Sequence, residues 1–253
     1  MSDERFDGKV AFITGGAIGF GRAFARTLAE RGCAIAIADI DQQAGEVTAK
    51  QLESEGHRAI SVACDVADDD GVERAVAATI AQLGGVDILI NNAGKHLTKY
   101  NQPFRVLPRF EIRALFDVNV IGVVSCSLAC QESMRSRGGG SIINISSIAG
   151  YSSSSPYGVS KLAVRGLTIA LAQEMAADGI RVNAIAPGLM GTENALADLP
   201  QDLVDDFIGN RQLVHRLGAM DDIVNAMLFL CSSSGSFVTG ETLRVSGGYP
   251  LAI

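Results

Sequence analysis

Val10-Ala-Phe-Ile-Thr14-Gly-Gly-Ala-Ile-Gly-Phe-Gly21, running straight into Arg22-Ala-Phe-Ala-Arg-Thr-Leu-Ala-Glu30, decides the fold. Its first five residues form a short apolar run of strand type, and the segment after Gly21 has helical period. Between them, glycine permits a tight turn and the close approach of a ligand to the backbone. The helix that follows would present free N–H groups and a partial positive charge, a seat for a pyrophosphate. The spacing is Gly15-x3-Gly19-x-Gly21 rather than the G-x-G-x-x-G of the general dinucleotide fingerprint. Its place between a buried strand and an amphipathic helix distinguishes it from a chance cluster among 28 glycines.

The same alternation continues along the chain. Strands are expected at Val10–Thr14, Ala34–Asp39, Ala59–Ala63, Val86–Asn91, Ser141–Ser147, Arg181–Ala186 and Thr242–Val245. Most are almost wholly apolar, as strands buried on both faces are. Helices are expected at Phe20–Glu30, Gln42–Glu55, Val72–Leu83, Tyr157–Met175 and Asp222–Leu230, and about Arg109–Arg135 reads as mainly helical. This order predicts an α/β fold: one doubly wound, mostly parallel seven-stranded sheet of Rossmann type with helices on both faces, in a single domain. Such sheets bind ligands beyond the carboxyl ends of the strands, where strand order reverses.

The 253 residues carry 21 Lys+Arg against 28 Asp+Glu, a formal net charge of −7. Hydrophobic residues make up 47% and charged residues 19%, enough for a large core and too little charge for disorder. The acidic balance, with no basic stretch, argues against nucleic acid. No unbroken apolar run approaches the roughly 18 residues that suggest a membrane span. The N-terminus, Met1-Ser-Asp-Glu-Arg-Phe-Asp7, lacks the basic and apolar regions of a signal peptide. Five cysteines, at 33, 64, 126, 130 and 231, form no CxxC pair and read as reduced thiols, so a cytoplasmic protein is expected. With only His57, His96 and His215, no local metal motif exists and no metal is expected.

Asp39 ends the second strand. Its carboxylate could accept hydrogen bonds from both adenosine-ribose hydroxyls and repel a 2′-phosphate, which favours NAD over NADP. The alternative is that Asp39, with Asp41, caps the next helix. Asp65 could face the adenine amino group or serve the turn beside Asp68-Asp-Asp70. Tyr157 and Lys161 stand four apart on a predicted helix and so share one face. A tyrosine titrates near 10 by itself, and a nearby ammonium lowers that value toward the working range of a proton acceptor. The strand Ser141–Ser147 ends in hydroxyls, Ser146 and Ser147, that could bond a substrate oxygen beside the phenol or serve a turn.

These residues resemble the short-chain dehydrogenase/reductases of the compact, single-domain type over essentially the whole chain. The marks are Thr14-Gly-x-x-x-Gly-x-Gly21, Asn91-Asn-Ala-Gly94, Asn119 within Asp-Val-Asn-Val, Ser147, Tyr157-x-x-x-Lys161 and Pro187-Gly-x-x-x-Thr192. The resemblance implies that Tyr157 is the general acid/base, that Lys161 holds the nicotinamide ribose and lowers the tyrosine, that Ser147 holds the substrate oxygen, and that Asn119 serves a proton relay. It implies cofactor contacts at Gly15, Ile18, Gly19, Asp39, Asp65, Val66, Asn91, Ala93, Gly94, Tyr157, Lys161, Pro187, Gly188 and Thr192. Two departures stand out. The ten residues from Ser147 to Tyr157 are fewer than the family usually has, which leaves Ser146 and Ser147 both in play as the catalytic serine. Ser246 stands where an aspartate is usual before Gly247-Gly248.

The expected function is NAD-dependent interconversion of a secondary alcohol and a ketone by hydride transfer. A 3-oxoacyl-thioester reductase is the alternative within the enzyme class, disfavoured because biosynthetic reduction usually draws on NADPH. A non-catalytic nucleotide-binding regulator is the alternative outside it. Apolar residues on more than one face of the central helices, among them Val120, Ile121, Val123, Val124, Leu162, Val164, Leu167 and Ile169, predict a homo-oligomer, dimer or tetramer. A substrate lid is expected between Leu189 and His215, where Leu203, Val204, Phe207 and Ile208 share a helical stripe. His96 is expected at the mouth of the site.

Overall fold

Seven strands form one parallel sheet in the order β3-β2-β1-β4-β5-β6-β7 in a computed structural model that describes residues 4–191 and 200–251. They are β1 Val10–Thr14, β2 Ala34–Asp39, β3 Ala59–Ala63, β4 Ile88–Asn91, β5 Gly140–Ile145, β6 Ile180–Pro187 and β7 Thr242–Val245. Helices connect them: α1 Gly19–Glu30, α2 Gln42–Ser54, α3 Asp69–Leu83, α4 Leu97–Tyr100, α5 Arg109–Phe116, α6 Gly122–Ser136, α7 Ala149–Ser152 and α8 Pro156–Glu174. Gln201–Asp206 and Met220–Cys231 follow. Strand order reverses between β1 and β4, where Phe12 pairs with Ala36 on one side and Leu89 on the other. The doubly wound Rossmann-type reading is therefore the observed architecture.

Alternation along the strands divides the interior into two cores. Ala11, Ile13, Ile35 and Ile37 meet Phe24, Leu28 and Met227 on one face. Val10, Phe12, Ala36 and Leu89 meet Cys126, Cys130 and Met134 on the other. Burial on both faces is why these strands read as unbroken apolar runs.

Two expected strands are shorter than predicted. Val86 and Asp87 stay outside β4: the Val86 N–H donates to Ser133 Oγ (2.9 Å). The Asp87 carboxylate accepts the Val10 N–H and pairs with Lys9 and Arg137 at 3.1 and 2.8 Å. β5 ends at Ile145, and the Ser146 hydroxyl that follows turns inward to the Lys161 carbonyl (2.9 Å).

The run Arg109–Ser136 is long enough to cross a bilayer, and its most apolar 18-residue window has a mean hydropathy of 1.6. It is nonetheless embedded in the domain through buried Leu115, Val123, Cys126, Cys130 and Met134. One π-helical turn, Asp117–Ile121, interrupts it. Part of the apolar surplus on the central helices is core, since Val123 and Val164 are buried, whereas Ile121, Leu162 and Ile169 remain exposed.

Candidate active site

A cleft of about 350 Å³ opens at the carboxyl ends of β1, β2 and β4, where strand order reverses. Gly15, Ile18, Asp39, Asp65, Val66, Ala93 and Gly94 line it, seven of the positions expected to meet a cofactor. Asn92, within the motif Asn91–Gly94, lines it too, as do Ile40, Cys64, Lys95 and Val118, which were not foreseen. Gly19 borders a neighbouring cleft of about 900 Å³ together with Ile18, Phe20, His96, Gly191 and Met220. His96 thus lies beside the site, its Nδ1 3.0 Å from the Thr98 hydroxyl.

The glycine turn is held by main chain and by one amide. Gly15 and Gly19 take φ of +60° and +56°, a region that favours glycine. A Cβ on Gly21 would overlap the Gly15 carbonyl, and one on Gly15 would crowd Ala93 Cα and Asn92 Nδ2 at 3.0 Å. Asn92 Nδ2 donates to the Thr14 and Gly15 carbonyls (3.0 and 2.9 Å), while Thr14 Oγ1 accepts the N–H groups of Asn92 and Ala93 at 3.0 Å. The strand before the turn and the motif after β4 are thereby locked together. A threonine and an asparagine at these two motif positions were the available signal. Asn91 behaves differently from expectation. Its buried amide donates to Ser127 Oγ and Asn144 Oδ1 (3.2 and 2.9 Å), away from the cleft that its neighbours line.

Asp39 does not cap α2. That task belongs to Asp41, whose carboxylate accepts the Ala44 N–H (3.0 Å). The two Asp39 oxygens accept the N–H groups of Ala17 and Asp41, both at 3.0 Å, which fixes the charge at the cleft wall. Asp65 combines its two readings, lining the cleft while accepting the Ala67 N–H (3.0 Å). α1 has neither a side-chain cap nor an acid in its first turn. A glycine cradle, an uncapped helix start and a fixed carboxylate together fit a nicotinamide dinucleotide.

Three places in the fold supply the four catalytic candidates: the π turn, the end of β5 and α8. Asn119 sits in the π-helical turn, buried, with Oδ1 accepting the Lys95 N–H (2.8 Å) and Nδ2 donating to Ser160 Oγ (3.2 Å). π-Bulges recur at functional sites because they re-aim a side chain without ending the helix. Ser160 in turn donates to the Tyr157 carbonyl (2.7 Å), joining Asn119 to α8. A Cβ on Gly94 would stand 3.3 Å from Asn119 Oδ1 and 3.5 Å from Lys161 Nζ, so all three converge on one point. Lys161 Nζ donates to the Ile145 carbonyl (2.8 Å) and lies 5.9 Å from the centre of the Tyr157 ring.

The structure separates the two serines. Ser146 is buried and committed to the Lys161 carbonyl, whereas Ser147 Oγ accepts the Ala149 N–H (3.2 Å) and bonds the Tyr157 phenol. Ser147 therefore stands beside the phenol.

Protonation differs from the sequence expectation. Burial pushes the Tyr157 phenol up to about 12, opposed only in part by its hydrogen bond with Ser147. Burial also brings the Lys161 ammonium down to about 8.

Pro187 is buried, and its carbonyl accepts the Ile148 N–H (3.1 Å). Gly188 passes so close to Ser246 that a Cβ would stand 2.6 Å from its Cα, which accounts for glycine at that point. Thr192 lies outside the described residues, as does the 192–199 part of the expected lid. Of its remainder, Gln201–Asp206 is helical and Phe207–Arg211 forms a π turn. Val204 is buried, and Phe207 meets Tyr249 edge to face at 5.1 Å.

A family model described as Enoyl-(Acyl carrier protein) reductase matches residues 15–250. Cis-4-hydroxycyclohexanecarboxylate dehydrogenase of Sinomonas cyclohexanicum is 39% identical over 249 residues, 97% of this chain and 98% of its own. 7alpha-hydroxysteroid dehydrogenase of Escherichia coli K12 is 35% identical over 251 residues, 96% and 95% of the two chains. Among solved structures, a 7 alpha-hydroxysteroid dehydrogenase complexed with NADH and 7-oxo glycochenodeoxycholic acid superposes with a TM-score of 0.90 at 33% identity, covering 98% and 97%. A putative short-chain alcohol dehydrogenase from Sinorhizobium meliloti 1021 gives 0.91 at 32% identity, covering both chains fully, 100%.

Proposed function

The chain belongs to the short-chain dehydrogenase/reductase family and is an oxidoreductase of alcohols and ketones, and from that premise we propose that it uses NAD with Tyr157 as general acid/base. The observation that carries this reading is the convergence of Tyr157, Ser147, Lys161 and Asn119 at the end of a cleft whose other wall holds Asp39. NAD bound in that cleft supplies the hydride acceptor for oxidation and, reduced, the donor for reduction.

The chain's own residues handle the oxygen and its proton. Ser147 holds the substrate oxygen next to the phenol, and Tyr157 exchanges the proton with it. A phenol near 12 is protonated at neutral pH, so reduction starts from the resting state, while oxidation draws on a phenolate fraction that grows with pH. Lys161 and Asn119, both held by backbone partners, line the route by which that proton exchanges with solvent. Exposed Ile121, Leu162 and Ile169 supply the surface through which the enzyme self-associates.

Asp39 sets the cofactor choice by repelling a 2′-phosphate, and no Lys or Arg in the glycine turn or in Ile40–Gly45 offsets it. The test is nicotinamide absorbance with a panel of alicyclic and steroidal alcohols, the substrate types in the relatives' names. NAD should exceed NADP in kcat/KM by about tenfold or more, the scale of one charge contact. Asp39→Ser combined with Ile40→Arg should narrow or reverse that preference. Equal wild-type values for the two cofactors would overturn the assignment.

A further inference from the structure

The chain from Ser147 to Tyr157 is short, and the structure shows what keeps it in place. α7 lies directly on the first turns of α8, because two glycines let backbone meet backbone. A Cβ on Gly150 would stand 2.8 Å from the Lys161 carbonyl carbon, and one on Gly158 would stand 2.7 Å from the Ala149 oxygen. One side chain then straps the loop down from outside. Arg165, one helical turn beyond Lys161, places its guanidinium 3.6 Å from the centre of the Tyr151 ring, and its Nη1 donates to the Gly150 carbonyl (3.1 Å). Arg244, from β7, approaches the same ring at 5.1 Å. The strapped residues lead straight to the serine: the Gly150 N–H donates to the Ser147 carbonyl (3.0 Å) and the Ala149 N–H to Ser147 Oγ (3.2 Å).

We propose that Arg165, stacked on Tyr151, is a positioning residue that sets Ser147 against Tyr157 without itself touching the reacting atoms. The inference rests on the reading of Ser147 and Tyr157 as catalytic groups. Its physical basis is that a stacked guanidinium combines cation–π attraction with a directed hydrogen bond, which lysine cannot reproduce in one geometry. The Arg165 Nε is buried with no hydrogen-bond partner, so the planar group is held by the ring and by the one carbonyl contact. Ser153, in left-handed backbone at φ +49°, shows that the short loop is tightly turned, so a lost strap should let Ser147 drift.

Steady-state kinetics of Arg165→Ala, Arg165→Lys, Tyr151→Ala and Tyr151→Phe test it, alone and combined with Ser147→Ala. Arg165→Ala and Tyr151→Ala should lower kcat by about tenfold to 100-fold, the scale of a small misplacement of a reacting group. The KM for NAD should stay within about twofold, since the cofactor cleft is untouched. Arg165→Lys should restore part of the loss and Tyr151→Phe nearly all, because the ring is kept. On a Ser147→Ala background the Arg165→Ala loss should vanish, since a positioning residue has nothing left to position.

Wild-type kcat in both alanine variants, or full additivity with Ser147→Ala, overturns the proposal and leaves the functional reading intact. A fully active Tyr157→Phe overturns that reading instead. If Arg165→Ala does not fold, by loss of its cooperative thermal transition, the Tyr151→Ala and Tyr151→Phe pair decides by the same criteria.

Discussion

Around the glycine turn three side chains hold the main chain in place: Asp39 takes two backbone N–H groups, and Asn92 and Thr14 tie two loops through their carbonyls and N–H groups. On the opposite wall, Ser147, Tyr157, Lys161 and Asn119 come from β5's end, α8 and the π turn, and their side chains converge on one place. The first wall fixes the loops that would bind a cofactor, whereas the second presents groups that can hold an oxygen and exchange its proton. Substitutions on the two sides should therefore split cleanly between affinity and turnover.

The sharpest break of that division comes from Tyr157→Phe. Keeping the ring and deleting the hydroxyl should lower kcat by about 100-fold or more, the usual worth of a positioned acid/base. NAD affinity by titration and the melting temperature should hardly move. A matching loss of affinity would mean that the two walls are not separable.

Next in size is the pH dependence. Oxidation should accelerate by up to about tenfold per pH unit from pH 6 to pH 8, because the phenolate fraction grows while pH lies below the phenol's value of about 12. Reduction should stay nearly flat over the same range, since the phenol is already protonated. Initial rates in both directions with one alcohol–ketone pair measure this, and equal slopes would remove Tyr157 as the titrating group.

The smallest effect sharpens the cofactor side. Asn92→Ala removes two hydrogen bonds that brace the turn and should weaken NAD binding about tenfold with kcat little changed. Asn91→Ala also removes two buried bonds and should cost stability by about 1–3 kcal/mol yet leave NAD affinity near wild type. Calorimetric titration with thermal melts of both variants gives the comparison, and reversed behaviour would mean that the assigned amide roles are exchanged.

How much could be read in advance follows the same line. Gly15, Asp39 and Asp65 were legible because each answers a local demand at a strand end, whereas Ala93 and Gly94 entered only through the family resemblance. Tyr157 and Lys161 were legible because helical spacing puts them on one face. The choice between Ser146 and Ser147 was not, because it depends on which hydroxyl finds the Lys161 carbonyl. Nor was the inward turn of Asn91, whose partners Ser127 and Asn144 belong to other elements.

By itself, the sequence determined the alternation of buried strands and helices, the glycine turn at the first strand's end and the acid at the second's. Those features depend on local backbone freedom, side-chain period and burial. Only the tertiary structure decided which of two adjacent serines meets the phenol, that a π turn aims Asn119 at Gly94, that burial raises Tyr157 and lowers Lys161, and that Arg165 straps the loop between them. These are contacts between elements distant in sequence, and solvation and geometry at such contacts exist only once the chain has folded.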